Sequence, residues 1–204
     1  DNGTEYMNME TVYPARTVVC FSSMFTGTYP FEHGITSNMV WKLGINVESI
    51  FDSLRKVGKK GRLLGIAHLV DSMGDDVETV TAVMHKDKAD PNIMERAKKI
   101  MKEQDPDLFV VQMIGTDQTG HSQGVFYDEY LQKIHEADVL IEDFVSWLKK
   151  ESRKSVFTMH PKHTRHISSM TFSVIKELSL EVALTTVTPS RPWKPCCSNW
   201  NTWA

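Results

Sequence analysis

This sequence of 204 residues has few cysteines, a small net charge and no long apolar run. The cysteines Cys20, Cys196 and Cys197 are odd in number and two are adjacent, which is not typical of a disulfide framework or of zinc-ligand spacing. We therefore expect a reducing, cytoplasmic compartment. The formal net charge of −3 gives no electrostatic reason to expect that the chain binds nucleic acid. No apolar run is long enough to cross a bilayer, so we expect no membrane segment.

Glycine and aspartate are missing from the C-terminal part of the chain. The last glycine is Gly124 and the last aspartate is Asp143, and residues 152–204 carry seven Lys or Arg against two Glu. We therefore divide the chain into a domain over 1–151 and an atypical tail over 152–204, which we expect to be non-native or poorly packed. A shifted reading frame would explain the change of composition. The apolar residues of the tail fit either a strand over 178–184 or a helix over 167–178.

Strand patterns alternate with helix patterns before this boundary. Continuous or alternating apolar residues predict strands over 62–67, 77–85 and 107–115. Apolar residues at helical spacing, with Gly27 and Gly58 as stop residues, predict helices over 17–26, 47–57, 90–104 and 125–150. The alternation predicts an α/β fold with a mostly parallel sheet sandwiched between helices.

Three local features refine this prediction. The segment "YPFEHGITSN" predicts a loop. Asp90 is expected as the N-cap of its helix, with Pro91 in the first turn. The stripe of the last helix that we expect to face the core consists of Tyr127, Tyr130, Leu131, Ile134, Asp138, Ile141, Val145 and Leu148.

The segment "GTDQTGHSQG" at 115–124 combines an acid with a histidine directly after an apolar strand pattern. Its glycines predict a loop at the carboxyl end of the strand, where ligand sites lie in open α/β sheets. Asp117 and His121 are suitable ligands for zinc or manganese. The alternative is a polar surface turn in which Asp117 caps the backbone.

Thr17 lies at the start of the first predicted helix. The free N–H groups and the positive end of the dipole at a helix N-terminus suit a phosphate group. A hydroxyl there could act as a nucleophile, and because no base is adjacent in the sequence, a metal ion is the natural activator. The alternative is that Thr17 is an ordinary N-cap.

Taken together, two segments resemble the type I phosphodiesterase/nucleotide pyrophosphatase family of the alkaline phosphatase superfamily. The stretch "TGTYPFEHG" and the Thr17 that precedes it resemble the family's nucleophile segment. The stretch "GTDQTGHSQG" resembles its metal-binding segment. The resemblance covers about residues 1–150, and it implies that 1–151 is a partial alkaline-phosphatase-like catalytic domain.

The resemblance implies a metal-dependent hydrolase that acts on small phosphoester or nucleotide substrates. The family site holds two divalent metal ions, usually zinc. Thr17 would be the nucleophile and a metal ligand, and it would form a covalent phosphoryl-threonine. Asp117 and His121 would hold one metal, and His33 would be structural.

The chain also departs from the family pattern. The family expects an early Asp that would precede Asp1, and a later "DHG" segment in whose place this chain has "VFTMHPKHTRH". We therefore expect a fragment that retains ligands for about one metal. His160, His163 and His166 form either a metal cluster or a solvated His-rich segment. Where the resemblance places an Asn that helps to bind the phosphoryl oxygen, this chain has Cys20, which leaves the substrate open.

Other interpretations remain open at this stage. One is another member of the same superfamily, such as a sulfatase or a cofactor-independent phosphoglycerate mutase, although the sulfatase motif is absent around Thr17. A different class is a non-catalytic α/β fragment that keeps the fold without complete metal sites. Counting bound metal ions would separate this fragment from the enzymes.

Overall fold

A computed structural model describes residues 11–39, 44–66, 73 and 89–151, together with the backbone of 155–161 and 170–176. The helices in these ranges are α1 (Thr17–Thr26), α2 (Pro30–His33), α3 (Ile50–Lys56), α4 (Ala89–Glu103), α5 (Gly115–Gln123) and α6 (Asp128–Lys150). The strands are β1 (Gly61–Leu64), β2 (Leu108–Gln112), β3 (Ser155–Pro161) and β4 (Met170–Lys176). No helix in the described part of the chain is both long and apolar enough to span a membrane.

The four strands form one sheet in the order β1-β2-β4-β3. β1 and β2 are parallel, and their register places Gly61 opposite Leu108. β4 pairs with the other edge of β2 in antiparallel orientation, and β3 completes an antiparallel hairpin with β4. The protein therefore has the predicted α/β fold with a parallel β1–β2 pair, and the hairpin adds antiparallel pairs that the prediction did not include.

Both faces of β2 are covered by helices, as its continuous apolar sequence predicts. Phe109 and Val111 pack on one face with the buried sides of α4 and α6. Leu108 and Val110 pack on the opposite face with Phe21 and other apolar residues of α1, α3 and β1. Because side chains alternate along a strand, this one segment contributes to two separate apolar layers.

Local signals set the ends of the early helices. α1 ends at Gly27, which adopts the left-handed conformation with φ of 66°. α3 begins with a capping box in which Asp52 accepts hydrogen bonds from the Ser49 N–H at 2.8 Å and the Ser49 hydroxyl at 2.7 Å. The predicted stop residues Gly27 and Gly58 are confirmed, since Gly58 also has a positive φ, of 71°.

Two local predictions are wrong, and a third, the core-facing stripe of the last helix, is right only in part. The predicted loop after Gly27 contains the short helix α2, which Pro30 favours at its first position. Asp90 lies inside the bounds of α4 instead of capping it, and its carboxylate is engaged elsewhere. The buried residues of α6 are Tyr130, Ala137, Ile141, Phe144 and Leu148, while Tyr127, Leu131 and Asp138 of the predicted stripe are exposed.

The predicted tail over 152–204 contributes backbone to the sheet. Residues 170–176 form a strand, so the helix hypothesis for this stretch is wrong. β4 pairs with β2 from Leu108 opposite Ile175 to Gln112 opposite Thr171, a contact that the expected poor packing did not include. A separate, non-native tail stays a prediction, and the strand patterns at 77–85 and 178–184 lie outside the described residues.

Candidate functional site

Thr17 is the first residue of α1, with Arg16 at the N-cap position. The alternative in which Thr17 is itself the N-cap is therefore wrong. The side chain of Arg16 makes no capping hydrogen bond. Helix α1 buries nearly all of its other residues, including Val18 and Val19 with no exposed surface. The half-buried Thr17 therefore sits at the partly open N-terminal end of a helix that is fixed in the core.

Asn38 caps this end of α1 from a loop that follows α2. The Val18 N–H donates to Asn38 Oδ1 at 2.9 Å, although the two residues are 20 positions apart in the sequence. Because the backbone N–H is a donor, the atom facing it must be the amide oxygen. The Asn38 NH2 group is therefore directed away from Val18, and the side chain is exposed at the same helix end as Thr17.

A buried histidine joins the C-terminal half of α1 to the turn after α2. His33 Nε2 lies 2.9 Å from Ser23 Oγ, and the Ile35 N–H donates to His33 Nδ1 at 3.1 Å. Since Nδ1 accepts a hydrogen bond, Nε2 carries the proton and donates to Ser23. Burial lowers the pKa of His33, against a smaller opposing effect of Glu32. His33 is buried and hydrogen-bonded at both ring nitrogens, which agrees with the structural role expected for it.

The loop predicted over 115–124 is wrong, because Gly115–Gln123 form helix α5. Glycine in a helix interior costs about 1 kcal/mol relative to alanine, which is why three glycines in this segment indicated a loop. Gly115 and Gly120 are however buried where α5 meets its neighbours, so packing outweighs the intrinsic preference. Asp117 and His121 are one helical turn apart and lie on the same face of α5.

The Asp117–His121 pair has a geometry that suits two ligands of one metal ion. Asp117 Oδ2 lies 3.9 Å from His121 Nε2, and the two side chains are 34% and 67% exposed. Two ligands of a tetrahedral zinc ion, each about 2.1 Å from the metal, lie about 3.4 Å apart. A small side-chain rotation of the half-buried Asp117 or the exposed His121 would close that gap. Within the described ranges no group of three His, Cys, Asp or Glu residues is placed to hold a metal.

A buried acid holds the N-terminal end of α5. Asp90 Oδ1 accepts hydrogen bonds from the Ile114 N–H at 2.9 Å and the Gly115 N–H at 3.0 Å. Burial raises the pKa of Asp90, while these backbone hydrogen bonds and the charge of Lys133 oppose the rise. The sequence predicts that Asp90 caps its own helix, α4. In the structure Asp90 instead accepts hydrogen bonds from the first N–H groups of α5, which begins 25 residues later.

The structure thus brings together Asp117 and His121 and places Asn38 beside Thr17. No hydrogen bond or ion pair joins Thr17 to Asp117 or His121 in the described part of the chain, so their convergence stays a prediction. Sequence reasoning missed Asn38, because nothing in the spacing of "TSN" signals a cap for a helix 20 residues earlier. The side chains of His160, His163 and His166 lie outside the described residues.

Comparison with known proteins gives one informative result. The family model described as type I phosphodiesterase/nucleotide pyrophosphatase matches residues 1–85 and 67–159, which together extend over more than half of the chain. No curated protein matches the chain significantly. The matched residues contain α1 to α6, and with them Thr17, Asn38, Asp117 and His121.

Proposed function

Since the chain belongs to the type I phosphodiesterase/nucleotide pyrophosphatase family and is by family a phosphoester hydrolase, we propose that Thr17 is its nucleophile and that Asp117 and His121 bind a divalent metal. The substrate is a small phosphoester or a nucleotide. The observation that carries this proposal is the partly open N-terminus of α1, where Thr17 and Asn38 lie at one helix end.

The N-terminus of α1 suits the binding of a phosphoryl group. The Thr17 N–H at the first helical position has no partner within the helix, and the helix dipole favours negative charge here. The Asn38 oxygen is committed to Val18, so its NH2 group is oriented as a donor for a phosphoryl oxygen. Two fixed donors beside the attacking hydroxyl would stabilise charge that develops on phosphorus-bound oxygens.

The reaction then has two displacement steps. The Thr17 oxygen forms a bond to phosphorus as the bond to the leaving-group oxygen breaks in line. The Thr17 proton passes to solvent, and the leaving group departs as an oxyanion or takes up a proton from solvent. Water next attacks the phosphoryl-threonine, which releases phosphate or a phosphomonoester and restores the hydroxyl. Asp117 and His121 would hold the metal, which would supply Lewis-acid chemistry that lowers the pKa of a bound hydroxyl and offsets phosphoryl charge.

Thr17→Ala tests this proposal directly. We expect zinc-dependent hydrolysis of bis(p-nitrophenyl) phosphate by the full chain, at a low rate, and its loss in Thr17→Ala. Ser22→Ala is the matched control, because it removes a buried hydroxyl of the same helix that has no hydrogen-bond partner among the described residues. Equal hydrolysis by wild type and Thr17→Ala would contradict the nucleophile. A wild-type chain that binds zinc but hydrolyses nothing would instead favour the non-catalytic interpretation.

A further inference from the structure

The carboxylate of Asp90 fixes the start of the helix that carries Asp117 and His121. Asp90 is 5% exposed, and its Oδ1 accepts from the N–H groups of Ile114 and Gly115, while Oδ2 lies 3.2 Å from the Gly115 nitrogen. Ile114 is the N-cap residue of α5, and its own side chain is apolar. The first donors of α5 are therefore satisfied by a residue of α4, which couples the position of one helix to the other.

Gly115 makes this coupling tight. A Cβ on Gly115 would lie 2.3 Å from Asp90 Oδ2 and 3.1 Å from both Asp90 Cγ and Lys133 Cδ. The φ of Gly115 is not positive, so the need for glycine comes from this close approach and not from the backbone conformation. The first turn of α5 is thus wedged between α4 and α6, with Asp117 two residues further along.

Lys133 closes the other side of the contact. Its side chain is 17% exposed and pairs with Glu136 on the same helix, while its charge also acts on Asp90. A carboxylate buried to this degree requires hydrogen bonds and a nearby positive charge to offset its desolvation. Both are present here, so the carboxylate has a fixed orientation toward Gly115.

We infer that Asp90 is a positioning residue for the metal site, because it sets the place of α5 and thereby aims Asp117 and His121. This inference rests on the proposed function, in which those two residues bind a metal. Residues that orient metal ligands without touching the metal typically change metal affinity by about 10–100-fold when they are replaced. Asp90 reaches the ligands through the backbone of α5, and not through a hydrogen bond to either ligand.

Zinc titration of the full chain by calorimetry tests the inference. Asp90→Ala should weaken zinc binding by about 10–100-fold, and Asp90→Asn should restore most of it, since one oxygen accepts from both N–H groups. Asp52→Ala is the matched control, because Asp52 also caps a helix N-terminus but on α3. Zinc affinity in Asp90→Ala equal to that in Asp52→Ala would overturn the inference, and so would equal weakening in Asp90→Ala and Asp90→Asn.

Gly115→Ala gives a second, independent measurement. It should weaken zinc binding, and the double variant Asp90→Ala/Gly115→Ala should bind zinc about as well as Asp90→Ala alone. The first change removes the Asp90 atoms that the new methyl group would meet most closely, and the remaining neighbour, Lys133 Cδ at 3.1 Å, belongs to a flexible side chain. If the fold-losses of zinc affinity in the two single variants multiply in the double variant, the inference is overturned. If Asp90→Ala does not fold, Gly115→Ala is sufficient as a test, because unchanged zinc affinity in that variant would by itself overturn the inference.

The same titration separates this inference from the proposed function. Zinc bound by wild type and lost in Asp117→Ala establishes the metal site, and normal affinity in Asp90→Ala then overturns only the positioning role. A wild-type chain that binds no zinc overturns the metal site, and the inference falls with it.

Discussion

His33 donates from Nε2 to Ser23 Oγ across 2.9 Å in a buried contact with the C-terminal half of α1. The Asn46 N–H also donates to the His33 carbonyl at 3.1 Å. The turn after α2 is therefore bonded to α1 through the His33 ring and to the segment around Asn46 through the His33 backbone. A Cβ on Gly34, whose φ is 82°, would lie 2.3 Å from Asn46 Nδ2. His33 and Gly34 therefore anchor the start of the loop that leads to Asn38 against α1.

His33 should make stability depend on pH. Burial lowers the pKa of His33 below 6.5, so the unfolded chain binds protons at this residue more readily than the folded one. The resulting contribution to the free energy of unfolding is complete above the unfolded pKa and is lost as the pH falls through the window below it. We expect the loss between about pH 7 and about pH 5 to be smaller in His33→Gln than in wild type, by urea unfolding.

Ser23→Ala is the control for that measurement. It leaves the buried Nε2–H without its acceptor and should lower the free energy of unfolding by about 1–3 kcal/mol. The histidine remains, so the pH dependence should remain as well. Parallel pH curves for wild type and His33→Gln would show that His33 is not the responsible group.

Asp90 should act in the opposite pH direction. Burial raises the pKa of Asp90 above 3.8, so the folded chain binds this proton more readily than the unfolded one. The free energy of unfolding therefore falls as the pH rises from the unfolded pKa through the raised one. Asp90→Asn lacks this loss, so its stability relative to wild type should improve from about pH 4 to about pH 7, as measured by urea unfolding.

Asp52→Asn provides a control of opposite sign. Burial would raise the pKa of Asp52, but hydrogen bonds from Ser49 and the charge of Arg55 outweigh it, and the pKa is lowered. The unfolded chain then binds the proton more readily. Asp52→Asn should accordingly lose stability relative to wild type as the pH rises, and a shift in the same direction as Asp90→Asn would contradict the assignment.

The elements that the sequence predicted well are those whose signals are local or strongly periodic. β2 is apolar apart from Gln112, and helix α1 has a left-handed glycine at its end, so both follow from short stretches of sequence. The buried face of α6 was less predictable. Leu131 is 60% exposed although it fits the apolar stripe. The buried face of α6 is the one that packs against α4 and β2, and spacing within α6 does not reveal these neighbours.

The candidate site likewise divides into residues that local sequence predicts and residues that only the folded chain reveals. Thr17 and the Asp117–His121 pair lie in compact motifs, whereas Asn38 and Asp90 act on helices distant in the sequence. The carboxylate of Asp90 and the small size of Gly115 explain each other only when α4 and α5 are seen in contact. A glycine that signals a turn and a glycine that admits a carboxylate are indistinguishable in a single sequence, and that is why α5 was predicted as a loop.

Variants of Asn38 should separate capping from substrate binding. Asn38→Ala removes the acceptor of the Val18 N–H and should lower the free energy of unfolding by about 1 kcal/mol. Asn38→Asp keeps that acceptor and adds a negative charge that the helix N-terminus favours, so stability should be retained or increased. It also removes the NH2 donor and repels a phosphoryl group. We therefore expect hydrolysis to fall in both variants, and activity that follows stability alone would contradict the binding role.

The convergence of Thr17 with Asp117 and His121 can be tested by changing the chemistry of Thr17. A cysteine thiolate binds zinc at about 2.3 Å, so Thr17→Cys should raise zinc affinity if residue 17 lies within reach of the metal that Asp117 and His121 hold. The gain should vanish in Thr17→Cys/Asp117→Ala, because the thiolate alone is a poor site. Ser53→Cys, on α3, is the control and should leave zinc affinity unchanged. The resident cysteines Cys20, Cys196 and Cys197 are present in both variants, so the difference in zinc affinity between them reports on the new thiol alone. An affinity in Thr17→Cys equal to that in Ser53→Cys would place residue 17 outside the metal's coordination sphere and remove the chemical basis for a metal-activated threonine.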